Sequence, residues 1–304
     1  MARFRLRNAL QRVLGPTAMG YLLHLRPLEW PIMTAHMLLG TFLAVGRHLP
    51  KSTWAAWFIF VVAMNGGTLA LNSAFDQDEG DIGYLKQPPK PPKHLAAFGF
   101  ALLAISLVWS FTFARQSHGG KYFFEIVMTC VLMSVLYSVP PIRLKARAGW
   151  DLLINCVGFG FFTPLAGWTF TGNVLEPMIM SLCIGFGLLF AALYPLTQIY
   201  QVEEDTRRGD STLVIRIGVG RSLTYGIIAA VAGHIWFAKA CLEAHVSPLP
   251  LLISLAAWIG LLLPWRLTWQ KWDSRKAEAG MYRGLWAWAI TDISILIMLW
   301  PRGL

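Results

Sequence analysis

The residues best suited to chemistry in this 304-residue chain are two acidic runs, each placed where a long apolar stretch ends. The first reads Asn72-Ser73-Ala74-Phe75-Asp76-Gln77-Asp78-Glu79-Gly80-Asp81, and the second Gln201-Val202-Glu203-Glu204-Asp205-Thr206-Arg207-Arg208-Gly209-Asp210. On a helix, Asn72 and Asp76 share a face four residues apart, and Gln201 and Asp205 repeat the spacing. A carboxylate at mid-bilayer costs about 2.5–3.5 kcal/mol on insertion scales, so acid gathered at two such edges points to a bound cation. Magnesium takes oxygen ligands, keeps several waters, and is commonly held by one or two carboxylates together with substrate phosphates. Two clusters facing each other across a helix bundle would hold that ion with a diphosphate between them. Asp76, Asp78, Glu79, Glu204 and Asp205 are the candidate metal ligands, whereas Asp81 and Asp210 are read as supports of their loops.

Cations lie close by. Tyr137-Ser138-Val139-Pro140-Pro141-Ile142-Arg143-Leu144-Lys145 follows an apolar stretch, and its proline pair should end a helix and present Arg143 and Lys145 at the same membrane face. Lys86, Lys90 and Lys93 sit in a stiff proline-rich run after the first acidic cluster. Cations beside metal-binding acids suit a phosphate-bearing ligand. The candidate substrate-binding residues are therefore Arg143, Lys145, Lys86, Lys90, Gln201 and Arg207.

The elements that must position these groups are membrane spans. With 56% hydrophobic residues, 14% charged residues and a mean hydropathy of +0.51, the chain is too apolar for an ordinary soluble domain. Nine apolar stretches are long enough to cross a bilayer, near 28–46, 53–75, 95–113, 122–139, 151–170, 178–200, 222–242, 248–265 and 285–300. The expected fold is an all-α polytopic bundle of nine transmembrane helices with two similar four-helix halves, since the acidic runs close spans two and six. Residues 1–27 carry Arg3, Arg5, Arg7, Arg12 and Arg26 without a signal-peptide core, and read as a basic amphipathic surface segment ahead of a single domain at 28–304. Basic residues crowd the loops on the side of both acidic runs, including Arg143, Arg147, Arg216, Arg221 and Arg275, while the opposite side holds only Arg47, Lys51, Arg115, Lys121, Lys239 and Arg302. The positive-inside rule then puts the N-terminus and both acidic runs in the cytoplasm and the C-terminus outside, with a bacterial inner membrane the natural location. The net charge of +10 reflects that topology and contact with anionic lipid rather than nucleic acid.

Other features carry less. Cys130, Cys156, Cys183 and Cys241 fall inside the spans without a C-x-x-C pair and read as small packing residues. No P-loop, G-x-S-x-G or H-E-x-x-H pattern is present. His36, His234, Asp292 and Asp151 are ionisable residues in or near spans, read here as interhelical hydrogen-bonding groups. Gly209 and Thr212-Leu213 read as a turn and a helix restart.

Taken in order, Asn72-x-x-x-Asp76, Tyr137-Ser138-x-Pro140-Pro141-x-Arg143-Leu144-Lys145 and Glu204-Asp205-x-x-x-Gly209-x-x-Thr212-Leu213 resemble the signature motifs of the UbiA superfamily of intramembrane prenyltransferases. Arg26-Pro27-x-x-Trp30 resembles that family's opening, so the likeness covers nearly the whole chain. Two departures stand out. Ser73 and Gly80 occupy positions where the family's first motif usually has acids, and Gln201 replaces the first acid of the second.

The resemblance implies magnesium-assisted departure of diphosphate from a prenyl diphosphate, leaving a carbocation-like centre that a lipophilic acceptor attacks. Asp76, Asp205, Asn72 and Tyr137 would form the catalytic set, with Arg143 and Lys145 neutralising charge on the leaving group. Aromatic faces at Phe75, Tyr137 and Tyr200 would stabilise a passing cation. The rival classes are a carrier for an isoprenoid or anionic lipid and a prenyl-lipid-binding family member without catalysis. Acids at one membrane edge rather than the midplane favour the enzyme.

Overall fold

The computed structural model describes residues 2–76 and 88–300. They form an all-α bundle, and the only strand-like pairing among the described residues is an isolated parallel bridge between Arg147 and Ser211. Helix α1 spans Ala2–His24, with a break at Gly15, and α2 spans Trp30–Val45. Five long apolar helices follow: α3 Thr53–Asp76, α4 Leu95–Ala114, α5 His118–Ser138, α6 Trp150–Thr169 and α7 Pro177–Ile199. Two short helices, α8 Val202–Arg208 and α9 Leu213–Ile217, precede α10 Val219–Glu243, α11 Leu251–Lys271 and α12 Ser274–Leu299.

Eight of these helices are long and apolar enough to cross a membrane, and α2 is a shorter ninth of 16 residues. At 1.5 Å per residue α2 rises about 24 Å, somewhat less than the roughly 30 Å hydrocarbon core. It starts later than the expected position 28 because the chain first turns through Arg26–Glu29, with Arg26 at φ 47°. Helix α12 starts well before the expected position 285. Its polar first turns are opened by the Asp273 carboxylate, which accepts from the Lys276 amide at 2.7 Å. The chain is an integral membrane protein whose exposed side chains on α4, α10, α11 and α12 include Val108, Ile235, Ile253 and Ile297, a surface suited to lipid.

Burial ranks the helices. In α3 and α7, 67% of the apolar window is buried within the bundle, against 28% in α4 and α11. The two helices that end in the acidic runs are therefore the inner ones. Around them pack Phe60, Phe123, Phe186, Phe237, Trp258 and Trp265, all fully buried. Helices α2 and α6 approach with almost no side chain between them. A Cβ on Gly40 would overlap the Pro164 carbonyl oxygen, and one on Gly167 the Met37 carbonyl oxygen, the small-residue contact by which membrane helices bring backbones together.

Polar groups inside the bundle are mostly paired. His234 on α10 bonds the Ala230 carbonyl and the Ser254 hydroxyl on α11, both at 2.8 Å, and Ser254 continues to Thr291 on α12 at 2.6 Å. The C-terminal part of α1 belongs to this packing rather than lying free of it: Met19, His24 and Leu25 are buried, and the Tyr21 ring meets Phe98 edge-on at 5.1 Å.

Replacing Gly40 or Gly167 by alanine should force α2 and α6 apart and lower stability by about 1–3 kcal/mol. A thermal-aggregation series in detergent reads this; Gly260→Ala, with open space at its Cβ position, is the expected neutral control.

Candidate active site

Both acidic runs reach one edge of the bundle, by different local routes. Asn72 and Asp76 lie on the last turns of α3. In the second run the helix stops at Ile199 and restarts at Val202, so Gln201 caps α8 instead of lying inside a helix. Gly209, at φ 76°, ends α8 in the left-handed region. The Asp210 amide then bonds back to the Asp205 carbonyl at 3.0 Å, a helix stop that glycine accommodates without strain. That reversal aims Asp210 at the site.

The cations arrive from the turn after α5. The Lys145 ammonium donates to Asn72 Oδ1 at 2.7 Å and forms an ion pair with Asp76 Oδ1. Arg143 bridges the two runs, donating through Nη2 to Asp76 at 3.3 Å and through Nη1 to Asp210 at 3.0 Å. Its backbone is left-handed at φ 38°, a conformation that costs a non-glycine residue free energy and is concentrated at functional sites. The strand-like bridge from Arg147 to Ser211, with the Ser211 amide donating to the Ala146 carbonyl at 3.3 Å, ties the cation-bearing loop to the loop after α8.

Below this edge a cavity of about 370 Å³ runs into the bundle. Its mouth is polar, with Asn72, Asp76, Lys145, Gln201, Glu204, Asp205 and Asp210 on the wall; deeper, Met33, Met133, Phe159, Phe190 and Trp288 make it apolar. π-Helical stretches at Phe58–Asn65 in α3 and Cys156–Phe162 in α6 border it, a distortion common at functional sites. Tyr137 lines the cavity with its hydroxyl fixed by Asn155 Nδ2 at 3.1 Å and shared with Tyr194 at 3.2 Å. Tyr200 lines it too, its phenol pushed up by burial.

The structure thus gathers Asn72, Asp76, Tyr137, Lys145, Gln201, Glu204 and Asp205 on one cavity, with Arg143 directly behind Asp76. It does not bring Lys90 or Arg207 there: both are exposed, and the Arg207 guanidinium donates to the Glu203 carbonyl at 3.4 Å. Asp78, Glu79, Asp81 and Lys86 lie outside the described residues. Asp210, expected only to support its loop, pairs with Arg143 and lines the mouth.

Sequence reading missed Glu29 and the role of Arg26. Glu29 is buried on the cavity wall 3.5 Å from Arg26, and burial pushes its carboxyl up against the lowering pull of that guanidinium. It also missed Gln198, whose signal was its place one turn before Gln201. Gln198 donates to Asp151 Oδ2 at 2.6 Å and accepts from the Val214 amide at 3.4 Å, while Asp151 Oδ1 accepts from the Gly149 amide at 2.8 Å. These bonds clamp the ends of α6, α7 and α9 beneath the site.

The donor chemistry suits a hard divalent cation, because the mouth offers carboxylate and amide oxygens and no thiolate or imidazole. Among the described residues, no group of three or more His, Cys, Asp or Glu side chains is arranged to hold a metal unaided.

The cavity is thus apolar within and capped by acids and a cation at one edge of the bundle. Residues 31–289 match the UbiA prenyltransferase family, and the chain belongs to that family of prenyl-group transferases. A UbiA homologue from Archaeoglobus fulgidus bound to DMAPP and Mg2+ superposes with a TM-score of 0.64 at 16% identity, covering 90% of this chain and 99% of the homologue. The same homologue bound to GPP and Mg2+ gives 0.65 at 17% identity, over 91% and 99% of the two chains. A digeranylgeranylglyceryl phosphate synthase gives 0.68 at 15% identity, over 92% and 97%. No curated protein matches the chain in sequence.

Asp151→Asn should set two amide donors against each other, and Gln198→Glu two carboxylates, each lowering stability by about 1.5–3 kcal/mol as a hydrogen bond to a charged group is lost. The double exchange restores the network with reversed polarity, because the introduced amide donates to the introduced carboxylate. Melting of the two single variants and the double in detergent should show recovery in the double; equal additive losses would mean that the clamp does not depend on this pairing.

Proposed function

We propose that the chain transfers an isoprenoid chain from a prenyl diphosphate to a lipophilic acceptor, with Mg2+. The carrying observation is the single cavity that is apolar inside and, at its mouth, set with acids from both runs and with Lys145. Prenyl diphosphates match this division, with hydrocarbon in the chamber and charge at the edge. The DMAPP and GPP complexes of the A. fulgidus homologue, each with Mg2+, support the same reading.

Asp76, Glu204 and Asp205, with the amide oxygens of Asn72 and Gln201, would hold the ion, and Asp78 and Glu79 remain proposed contributors. Bound there, Mg2+ supplies positive charge against the phosphate oxygens. Lys145 and Arg143 supply fixed positive charge at the same place, so the C1–O bond breaks with its electron pair passing to the diphosphate oxygen. The anchored ring of Tyr137 offers its face to the positive charge left on C1, worth about 0.5–2 kcal/mol. The acceptor then bonds to C1 and releases a proton. Lys145 and Arg143 now neutralise Asp76 and Asp210; an arriving diphosphate with its cation would take over that neutralisation and free both side chains to bind phosphate.

Basic residues near the acidic edge, such as Arg147, Arg216, Arg221 and Arg275, support a cytoplasmic mouth and contact with anionic lipid there, as in a bacterial inner membrane.

Purified protein given geranyl, farnesyl or geranylgeranyl diphosphate with membrane lipid extract should release pyrophosphate only with Mg2+. Asp76→Asn and Asp205→Asn should each lower the rate by at least about 10²-fold, the scale of losing one electrostatic group, and Lys145→Met should lower kcat as well as raise KM for the donor. Tight donor binding without release in any combination would turn the assignment to a carrier or a binding protein.

A further inference from the structure

Two polar side chains on the deep wall of the cavity carry buried nitrogens without a hydrogen-bond partner among the described residues. His36 on α2 and Asn65 on α3 are each 3% exposed and line the chamber. Neither ring nitrogen of His36 has a hydrogen-bond partner, nor has the amide nitrogen of Asn65. Another buried histidine and two hydroxyls of the chamber wall are paired. His234 has both nitrogens bonded, and Thr68 and Ser134, on the same chamber wall, bond each other at 2.6 Å. His36 has instead a carboxylate beside it, Asp292 of α12, with Oδ1 3.3 Å from Nδ1 in a geometry that makes no hydrogen bond. Phe186 and Trp288 hold the imidazole edge-on, with ring centroids at 4.6 and 5.1 Å.

Asn65 precedes Asn72 by seven residues, and His36 follows Trp30 by six, so both lie about 10 Å into the membrane from the acidic edge. An acid and a histidine at that depth cost free energy and are kept where they act. The hydrocarbon chain of a prenyl donor offers them nothing, because polar atoms buried against it would stay unpaired. A neutral imidazole donates through one ring nitrogen and accepts through the other, and Asn65 presents an amide donor. A hydroxyl, which donates and accepts, complements both.

We infer that His36, backed by Asp292, and Asn65 form a subsite for a hydroxyl group of the lipophilic acceptor, deep in the chamber and apart from the diphosphate end. This rests on the transferase reading only in naming the ligand as acceptor. The class it selects is a hydroxylated lipid or ring, and it disfavours the matching hydrocarbon.

The test uses full-length protein in detergent and two probes, 2-naphthol and naphthalene, with binding measured by equilibrium dialysis against empty micelles. Wild-type protein should prefer the naphthol by about tenfold, the scale of a hydrogen bond to a buried polar group. His36→Phe and Asn65→Leu should each remove most of that preference, His36→Gln should keep part of it, and affinity for geranyl diphosphate with Mg2+ should hold within about twofold. No preference in wild type, or an unchanged preference in both apolar variants, overturns the subsite. Altered geranyl diphosphate affinity in the apolar variants would also overturn it, by giving this wall to the donor chain. If wild type binds no geranyl diphosphate but keeps the naphthol preference, the donor assignment fails and the hydroxyl subsite stands.

Discussion

Asp76 ends the most buried kind of helix in this bundle, and its charge is tolerable there because two cations from another part of the chain sit on it. Lys145 and Arg143 come from a loop that lies far along the sequence, and Arg143 also holds Asp210 from the opposite half. A carboxylate cluster at a low-dielectric edge would otherwise repel itself and raise its own proton affinity. The neutralising cations therefore let two acidic segments converge, and every other feature of the mouth is arranged around that convergence.

The apolar body serves the same end. Helices α3 and α7 are innermost, and the ends of both line the chamber. The glycine contact between α2 and α6 fixes one wall by backbone contact, and the Asp151–Gln198 clamp fixes the floor beneath the loops. Rigidity in these places gives the site a defined geometry without a soluble domain to hold it. The strain at Arg143 is sustained by this surrounding framework.

What could be read from the residues alone follows from which interactions are local. Hydropathy finds the spans because a bilayer demands about twenty apolar residues whatever the tertiary fold, and the acids at Asp76 and Asp205 stand out because they interrupt that pattern. It misplaces the start of α12, whose first turns are helical yet polar and so carry no hydropathy signal. Pairing is a different matter. That Asp210 meets Arg143 depends on a glycine turn that reverses the chain, and that Gln198 meets Asp151 depends on how α6 lies against α7. Charge alone made Lys90 and Arg207 look equal to Lys145, but among the described residues it is the path of the loop after α5 that brings a cation onto Asn72. Glu29 and Asn65 escaped notice because the burial of Glu29 against Arg26 and the unpaired amide of Asn65 are properties of the packed chamber.

The bridge between Arg147 and Ser211 is small, yet it joins the loop that carries Arg143 and Lys145 to the loop that follows the second acidic helix. The bridge therefore holds the two loops in one relation to each other, so that Lys145 and Asp210, which come from segments far apart in sequence, keep a fixed spacing across from the end of α3.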